Sequence, residues 1–205
     1  MRQIKKGFLF GFFMFLANAL LIGQLAFDKA EIIEYRAEKE KSLTIGERAP
    51  LTKESIKNLD YFKAKKKYKV EATFTLAKDE KSFEMPTYSG ITKSFIKYGT
   101  LSFKIGNKEL QLALYRNLGL MRMPQYKNYL FLPYKDKTSS KASYGGGRYI
   151  DIMTTEIKDG KVILDFNKSY NPWCAYGEGF NCPVPPQENI LPIAIKAGEK
   201  QFLHH

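Results

Sequence analysis

Histidine is all but missing from this chain of 205 residues: the only two are His204 and His205, at its very end. A Ser-His-Asp or Cys-His nucleophile needs an imidazole held in a packed site, and a histidine-based zinc centre needs one as a ligand. Neither is expected inside the domain. Also lacking are a Walker-type phosphate loop and a dinucleotide fingerprint between a strand and a helix. No cofactor and no metal is therefore expected. There is one tryptophan, there are two cysteines, and no internal repeat or low-complexity stretch occurs. An enzyme built from this sequence would be left with carboxylate, Lys, Tyr, Cys or Arg chemistry.

Charge is missing altogether from Gly7 to Phe27, a run of 21 residues rich in Phe, Leu, Ile, Met, Ala and Gly. As a helix it would reach about 30 Å, the thickness of a bilayer core. Arg2, Lys5 and Lys6 precede it and Asp28-Lys29-Ala30-Glu31 follows without a positive excess. The positive-inside rule then puts the N-terminus in the cytoplasm and the remaining residues outside, in the periplasm or on the cell surface. Ala17-Asn18-Ala19 has the form of a signal cleavage site, and cleavage would give a secreted protein. Leu20-Leu21-Ile22 continue the apolar run past it, which favours an uncleaved anchor. No cysteine follows the run, so a lipoprotein signal is absent.

Net charge is +12. Three of the 33 basic residues precede residue 28, which leaves 30 against 21 acids in the body of the chain. This excess favours anionic surroundings, either a small molecule, lipid or glycan. Lys63-Ala64-Lys65-Lys66-Lys67-Tyr68-Lys69 concentrates it and suits anionic head groups, or is simply a solvated approach to a strand. The exported topology disfavours nucleic acid.

Residues 28–60 read as a helical stalk and connector. Asp28 to Leu43 suits a polar helix with Ala30, Ile33 and Ala37 on one face, and Thr52 can cap a short helix through Asn58. Residues 61–205 read as β. Tyr68, Val70, Ala72, Phe74 and Leu76 alternate with polar residues, the pattern of a half-buried strand. Ile91–Tyr98 is a further strand. Leu101, Phe103 and Ile105 alternate before Gly106-Asn107, and Leu110, Leu112 and Leu114 after it, which predicts a hairpin. Tyr129–Leu132 is a short strand ended by Pro133. Tyr149–Met153 and Val162–Phe166 flank Asp159-Gly160, read as a second hairpin turn, and Pro192–Lys196 is a last strand. The fold class expected is mainly β, an antiparallel sandwich or small barrel of about six to eight strands.

Residues 144–199 carry the unusual motifs. They include Tyr144-Gly145-Gly146-Gly147-Arg148, Asp165-Phe166-Asn167, Tyr170-Asn171-Pro172 and Cys174-Ala175-Tyr176. Cys182-Pro183, Pro185-Pro186, Glu188-Asn189 and Ala197-Gly198-Glu199 follow. With Glu31–Arg36 and Tyr68–Phe74, this succession resembles the uncharacterised bacterial family called domain of unknown function 1684, over roughly residues 30 to 200. The resemblance implies a family and no activity.

Each motif has two physical readings. The three glycines beside Arg148 form a backbone nest for a carboxylate or phosphate, or a strand entry needing positive φ. Asp165, Asn167, Tyr170 and Asn171 form a polar pocket, or fix loops by bonding nearby backbone. Cys174 and Cys182, with seven residues between them, suit a structural disulfide outside the cytoplasm, worth about 2.6 kcal/mol in the chain-entropy model. The prolines stiffen the loop after it into a pocket wall. The leading expectation is a non-enzymatic, membrane-tethered binding or envelope-associated module. Its ligand residues are expected among Tyr144, Gly145, Gly146, Gly147, Arg148, Asp165, Asn167, Tyr170, Asn171, Tyr176 and Asn189. The alternatives are a hydrolase-type enzyme using Asp151, Asp165 or Glu188, and a motif region that only specifies the fold.

Overall fold

The computed structural model describes residues 26–203. The apolar segment over residues 7–27 therefore lies almost wholly outside the described residues, as do His204 and His205. Among the described residues no helix is long and apolar enough to cross a membrane.

Helix α1 (Lys29–Leu43) begins where Asp28 accepts the Ala30 N–H at 2.8 Å. Its buried face differs from the expected one. Ile32 is 1% exposed and Leu43 is buried, whereas Ile33 is 67% exposed. With so little apolar surface to bury, the helix is held mainly by polar clamps. Arg36 donates to the carbonyls of Phe62 (3.1 Å) and Asn167 (3.4 Å), Lys39 pairs with Asp151 at 2.9 Å, and Glu31 takes Lys69 and Lys168 at 3.3 and 2.6 Å. The helix expected after Thr52 is a single 3-10 turn, Ser55–Asn58, with the Thr52 hydroxyl accepting from the Glu54 and Ser55 amides.

Seven strands form one antiparallel sheet: β1 (Lys69–Leu76), β2 (Phe83–Pro86), β3 (Thr92–Ile105), β4 (Lys108–Asn117), β5 (Tyr129–Tyr134), β6 (Arg148–Met153) and β7 (Lys161–Asp165). The order is β6-β5-β4-β3-β1-β7, with β2 also on β3. The two strands expected over 91–105 are one, β3. It changes partner along its length, from β2 at Thr92–Phe95 to β1 at Gly99–Ser102, and a bulge between Lys97 and Gly99 bends it there. A side chain at Gly99 would meet the Phe74 ring at 2.3 Å and the Thr75 carbonyl at 2.6 Å. The sheet curls into a half-barrel rather than splitting into a sandwich. Its outer strands β6 and β7 are bridged on the outside by α1, through Asp151 on β6 and Lys168 beyond β7.

Both faces are covered. The concave core holds Leu112 and Leu114 of β4, Leu130 and Leu132 of β5, Ile150 and Ile152 of β6, and Val162 and Leu164 of β7. Leu191, Ile195 and Ala197 of the C-terminal segment fill its mouth. No strand forms over Pro192–Lys196. The backbone there is bonded by side chains and a loop instead: Ile195 O to Arg148, Lys196 N–H to the Tyr68 hydroxyl, and Ile193 O to the Lys137 amide. The convex face carries a second cluster of Phe95, Ala113, Tyr115, Phe131 and Tyr149. Strands buried on both faces read as continuous apolar runs, which is how Leu112–Tyr115 and Tyr129–Tyr134 look in the sequence.

Strand β5 continues through Pro133, where the sequence reading ends it. Asn189 makes this workable. Its side-chain amide accepts the Ala113 N–H at 2.7 Å and donates to Ala113 O and Pro133 O at 2.9 and 2.7 Å.

Candidate functional site

The glycine–arginine turn points inward. Arg148 is 1% exposed, and its Nη2 lies 2.6 Å from Asp136, whose carboxylate is equally sealed. Nη2 also donates to Ile195 O at 2.9 Å, and Nη1 to the carbonyls of Ala197 and Glu199. This guanidinium stitches the C-terminal segment to the sheet and presents nothing to a ligand. Gly147 has φ of 90° and touches the Tyr134 carbonyl where a Cβ would stand at 2.6 Å, while its N–H bonds Tyr144 O. Gly146 offers its carbonyl to the Tyr88 hydroxyl, and the crowded Gly145 packs on Ser140. The turn is shaped for close packing, not as a nest.

The remaining motif residues also bond one another. Asp165 Oδ1 accepts both the backbone and side-chain N–H of Asn167, and Asn167 in turn pairs with the backbone of Lys65. Asn171 and the Tyr176 hydroxyl donate to Glu199, a buried carboxylate not expected as a site residue. Burial pushes the Glu199 carboxyl up to about 7, although these bonds and Arg148 pull the other way. Tyr144 donates to Cys174 O at 3.2 Å.

The three carboxylates considered for acid–base work do not meet. Asp151 and Asp165 line one hollow of about 500 Å³ under the first turns of α1. Asp151 is taken up by the hydroxyls of Tyr129 and Tyr170 and by Lys39. The Oδ2 of Asp165 is enclosed with no hydrogen-bond partner among the described residues, and burial raises this carboxyl. Glu188 lies elsewhere, bound to Lys97 and Tyr115 at 2.6 Å each.

Besides a hollow of about 940 Å³ lined by β1, β3, β4 and Ile190–Pro192, an open cleft lies on the convex face. A cleft of about 430 Å³ has Phe95 of β3, Phe131 of β5, Tyr149 of β6 and Tyr170 along its floor. Its wall is the Cys174–Cys182 disulfide loop, with Trp173, Phe180 and Pro183. That wall is pinned to the sheet: the Val184 N–H donates to Pro86 O (2.8 Å), the Tyr88 N–H to Cys182 O (3.1 Å), and the Tyr149 hydroxyl to Pro183 O. Trp173 stands at the rim, 39% exposed, edge-on to Phe180 at 5.2 Å.

Two cations and two amides complete the lining: Lys93, Arg48, Asn117 and Asn181. No carboxylate among the described residues lines it. Arg48 donates to Gly179 O at 3.0 Å and lies over the Phe180 ring. Lys93 has no ion pair or side-chain hydrogen bond among the described residues, and partial burial lowers its ammonium pKa. The cleft therefore offers an aromatic floor with an uncompensated positive charge. Tyr149 and Tyr170 are pushed well above the ordinary phenol range by burial, so they remain neutral donors rather than bases.

A family model described as a protein of unknown function, DUF1684, matches residues 54–200. The chain belongs to this family. The solution NMR structure of an uncharacterized protein from Haloarcula marismortui matches with a TM-score of 0.66 and 32% sequence identity, over 86% of this chain and 96% of that one. No curated protein matches.

Within this DUF1684 fold the expected Cys174–Cys182 disulfide is present, and the loop it closes and Tyr170 border the candidate cleft. Lys93, Phe95, Phe131 and Arg48, which also line it, are not singled out by the sequence. Phe131 carried a signal: between Leu130 and Leu132, it must face the opposite side of β5. Lys93 carried none, because nothing local distinguishes it from other strand-end lysines.

Proposed function

We propose that this DUF1684 protein is a binding module, exported and tethered by residues 7–27, whose convex cleft takes a small molecule with a flat or acyl apolar body and one anionic group. The observation that carries this reading is Lys93: a partly buried ammonium with no acidic partner among the described residues, beside four aromatic rings. A charge left unpaired in such surroundings is costly, and an incoming carboxylate or phosphate relieves the cost. The volume lies in the range of small-molecule sites, and apolar lining with a few polar groups is their usual make-up. Asn117 and Asn181 can orient the head group.

An enzyme reading draws less support. Asp151 is saturated with donors, the free oxygen of Asp165 is enclosed, and neither borders the cleft.

Trp173, the only tryptophan, makes the test direct. Full-length protein in detergent is titrated with medium-chain fatty acids, aryl carboxylates, alkyl phosphates and the matching uncharged alcohols. The proposal expects saturable change in Trp173 emission with the anionic members and at least ten-fold weaker binding of the alcohols. Flat emission across the panel, or equal binding of acid and alcohol, overturns it.

A further inference from the structure

A second surface bears on how the domain sits at the membrane, and it rests on the reading of residues 7–27 as a membrane anchor. The apolar run ends at Phe27, and the Ala26 carbonyl accepts a hydrogen bond from Lys69 Nζ at 2.9 Å. Lys69 is the last residue of the lysine run. The point where the anchor meets the domain and the start of β1 therefore share one rim.

That rim is strongly positive. Lys63, Lys65, Lys66 and Lys67 are all exposed, and none has an ion pair among the described residues. Lys196 is exposed beside them, its backbone N–H bonded to the Tyr68 hydroxyl. Of the first two acids after the anchor junction, Asp28 caps α1 through the Ala30 N–H and Glu31 is already matched by Lys69 and Lys168. The segment is also held in place: Asn167 bonds both backbone groups of Lys65, and Tyr68 is buried in the core.

Reach decides the partner. A residue spans at most about 3.5 Å, so Lys65, Lys66 and Lys67, two to four residues before Lys69, lie within roughly 14 Å of chain from the Lys69 backbone, and the Lys69 side chain spans the rest of the way to Ala26. Electrostatic attraction to a charged surface decays over a Debye length of about 8 Å at physiological salt. A helix leaving the bilayer at Phe27 would thus hold these lysines within a few Debye lengths of the head groups. A soluble polyanion gains no such proximity from the tether.

We infer that the Lys63–Lys67 face is a docking surface for anionic phospholipid head groups, orienting the domain so that this rim faces the bilayer.

The test uses the full chain in nanodiscs of phosphatidylcholine, with and without about one third phosphatidylglycerol to supply the negative surface potential that attracts polybasic segments. Lysine reactivity toward an amine-acylating reagent is read by mass spectrometry. Lys78 and Lys81, exposed at the opposite end of β1, serve as internal controls. The inference expects labelling of Lys63, Lys65, Lys66 and Lys67 to fall at least three-fold in the anionic discs, with Lys78 and Lys81 unchanged and the protection lost in 0.5 M salt. Equal labelling in both discs, from protein that is inserted, overturns the docking surface and leaves the anchor reading standing. Failure of the chain to stay with neutral discs in high salt overturns the anchor reading and the docking surface with it.

Discussion

The side-chain amide of Asn189 stands where Pro133 has no N–H to give. Ala113 lies across from Pro133, and Asn189 accepts the Ala113 N–H at 2.7 Å while donating to both facing carbonyls. A proline would ordinarily end pairing in a central strand. Here a residue from the C-terminal segment completes the ladder, which ties that segment to the sheet.

Replacing Asn189 with Ala leaves three buried backbone groups without partners. At about 1–3 kcal/mol for each unsatisfied group, the loss should be on the order of 3 kcal/mol or more. Urea unfolding of Asn189→Ala measures it. A loss below about 1 kcal/mol would mean that the ladder closes without the amide.

Arg148 and Asp136 make a different prediction from the one the glycine-rich motif invites. Removing one partner of a buried pair costs about 3–5 kcal/mol. Arg148→Met should lower stability by that order, and Arg148→Lys by less, since lysine keeps a charge but not the fork that reaches three carbonyls. Neither should change ligand affinity under conditions where the variant remains folded. Selective loss of binding in a stably folded Arg148→Lys variant would return the anion site to the glycine turn.

Glu199 sets a pH dependence. Its folded pKa is raised to about 7, above the ordinary 4.5, so between these values the folded protein holds a proton that the unfolded chain has released. Its contribution to stability is fully present below about 4.5 and lost as pH rises through 7. Asp165 is raised by burial and acts in the same sense. Denaturant unfolding across pH 5–8 should show stability falling with pH, by on the order of 3 kcal/mol for Glu199 at 1.36 kcal/mol for each pH step between the two pKa values. Glu199→Gln costs stability through its misplaced amide donor and flattens this slope. An unchanged slope in that variant would assign the titration to another group.

The sheet was largely legible because alternation reports burial. Tyr68–Leu76 gave β1 and the Gly106-Asn107 turn gave the β3–β4 hairpin. The hairpin expected at Asp159-Gly160 does not form: that turn closes only on Lys158 and Lys161, and β7 pairs with β1 while β6 pairs with β5 at the far end of the sheet. Failures came where a distant side chain supplies what the local sequence cannot show. Pro133 continues a strand only because Asn189 reaches it, and Pro192–Lys196 alternates like a strand while Arg148 takes its carbonyls. Helix α1 was expected by its polar composition, but its buried face follows clamps to Asp151, Asn167 and Lys69 that lie far along the chain. The cleft was half visible: the disulfide wall is local, whereas Lys93, Phe95 and Phe131 come together only through strand register.

The most direct test of the account is to titrate wild-type protein and the Lys93→Gln and Arg148→Lys variants, each shown to be folded, with one anionic amphiphile, following Trp173 emission. The account predicts that Lys93→Gln weakens binding by about ten-fold, the 1.4 kcal/mol expected of one lost charge-assisted contact, while Arg148→Lys binds as wild type does. Unchanged affinity in Lys93→Gln together with lost affinity in Arg148→Lys would contradict it.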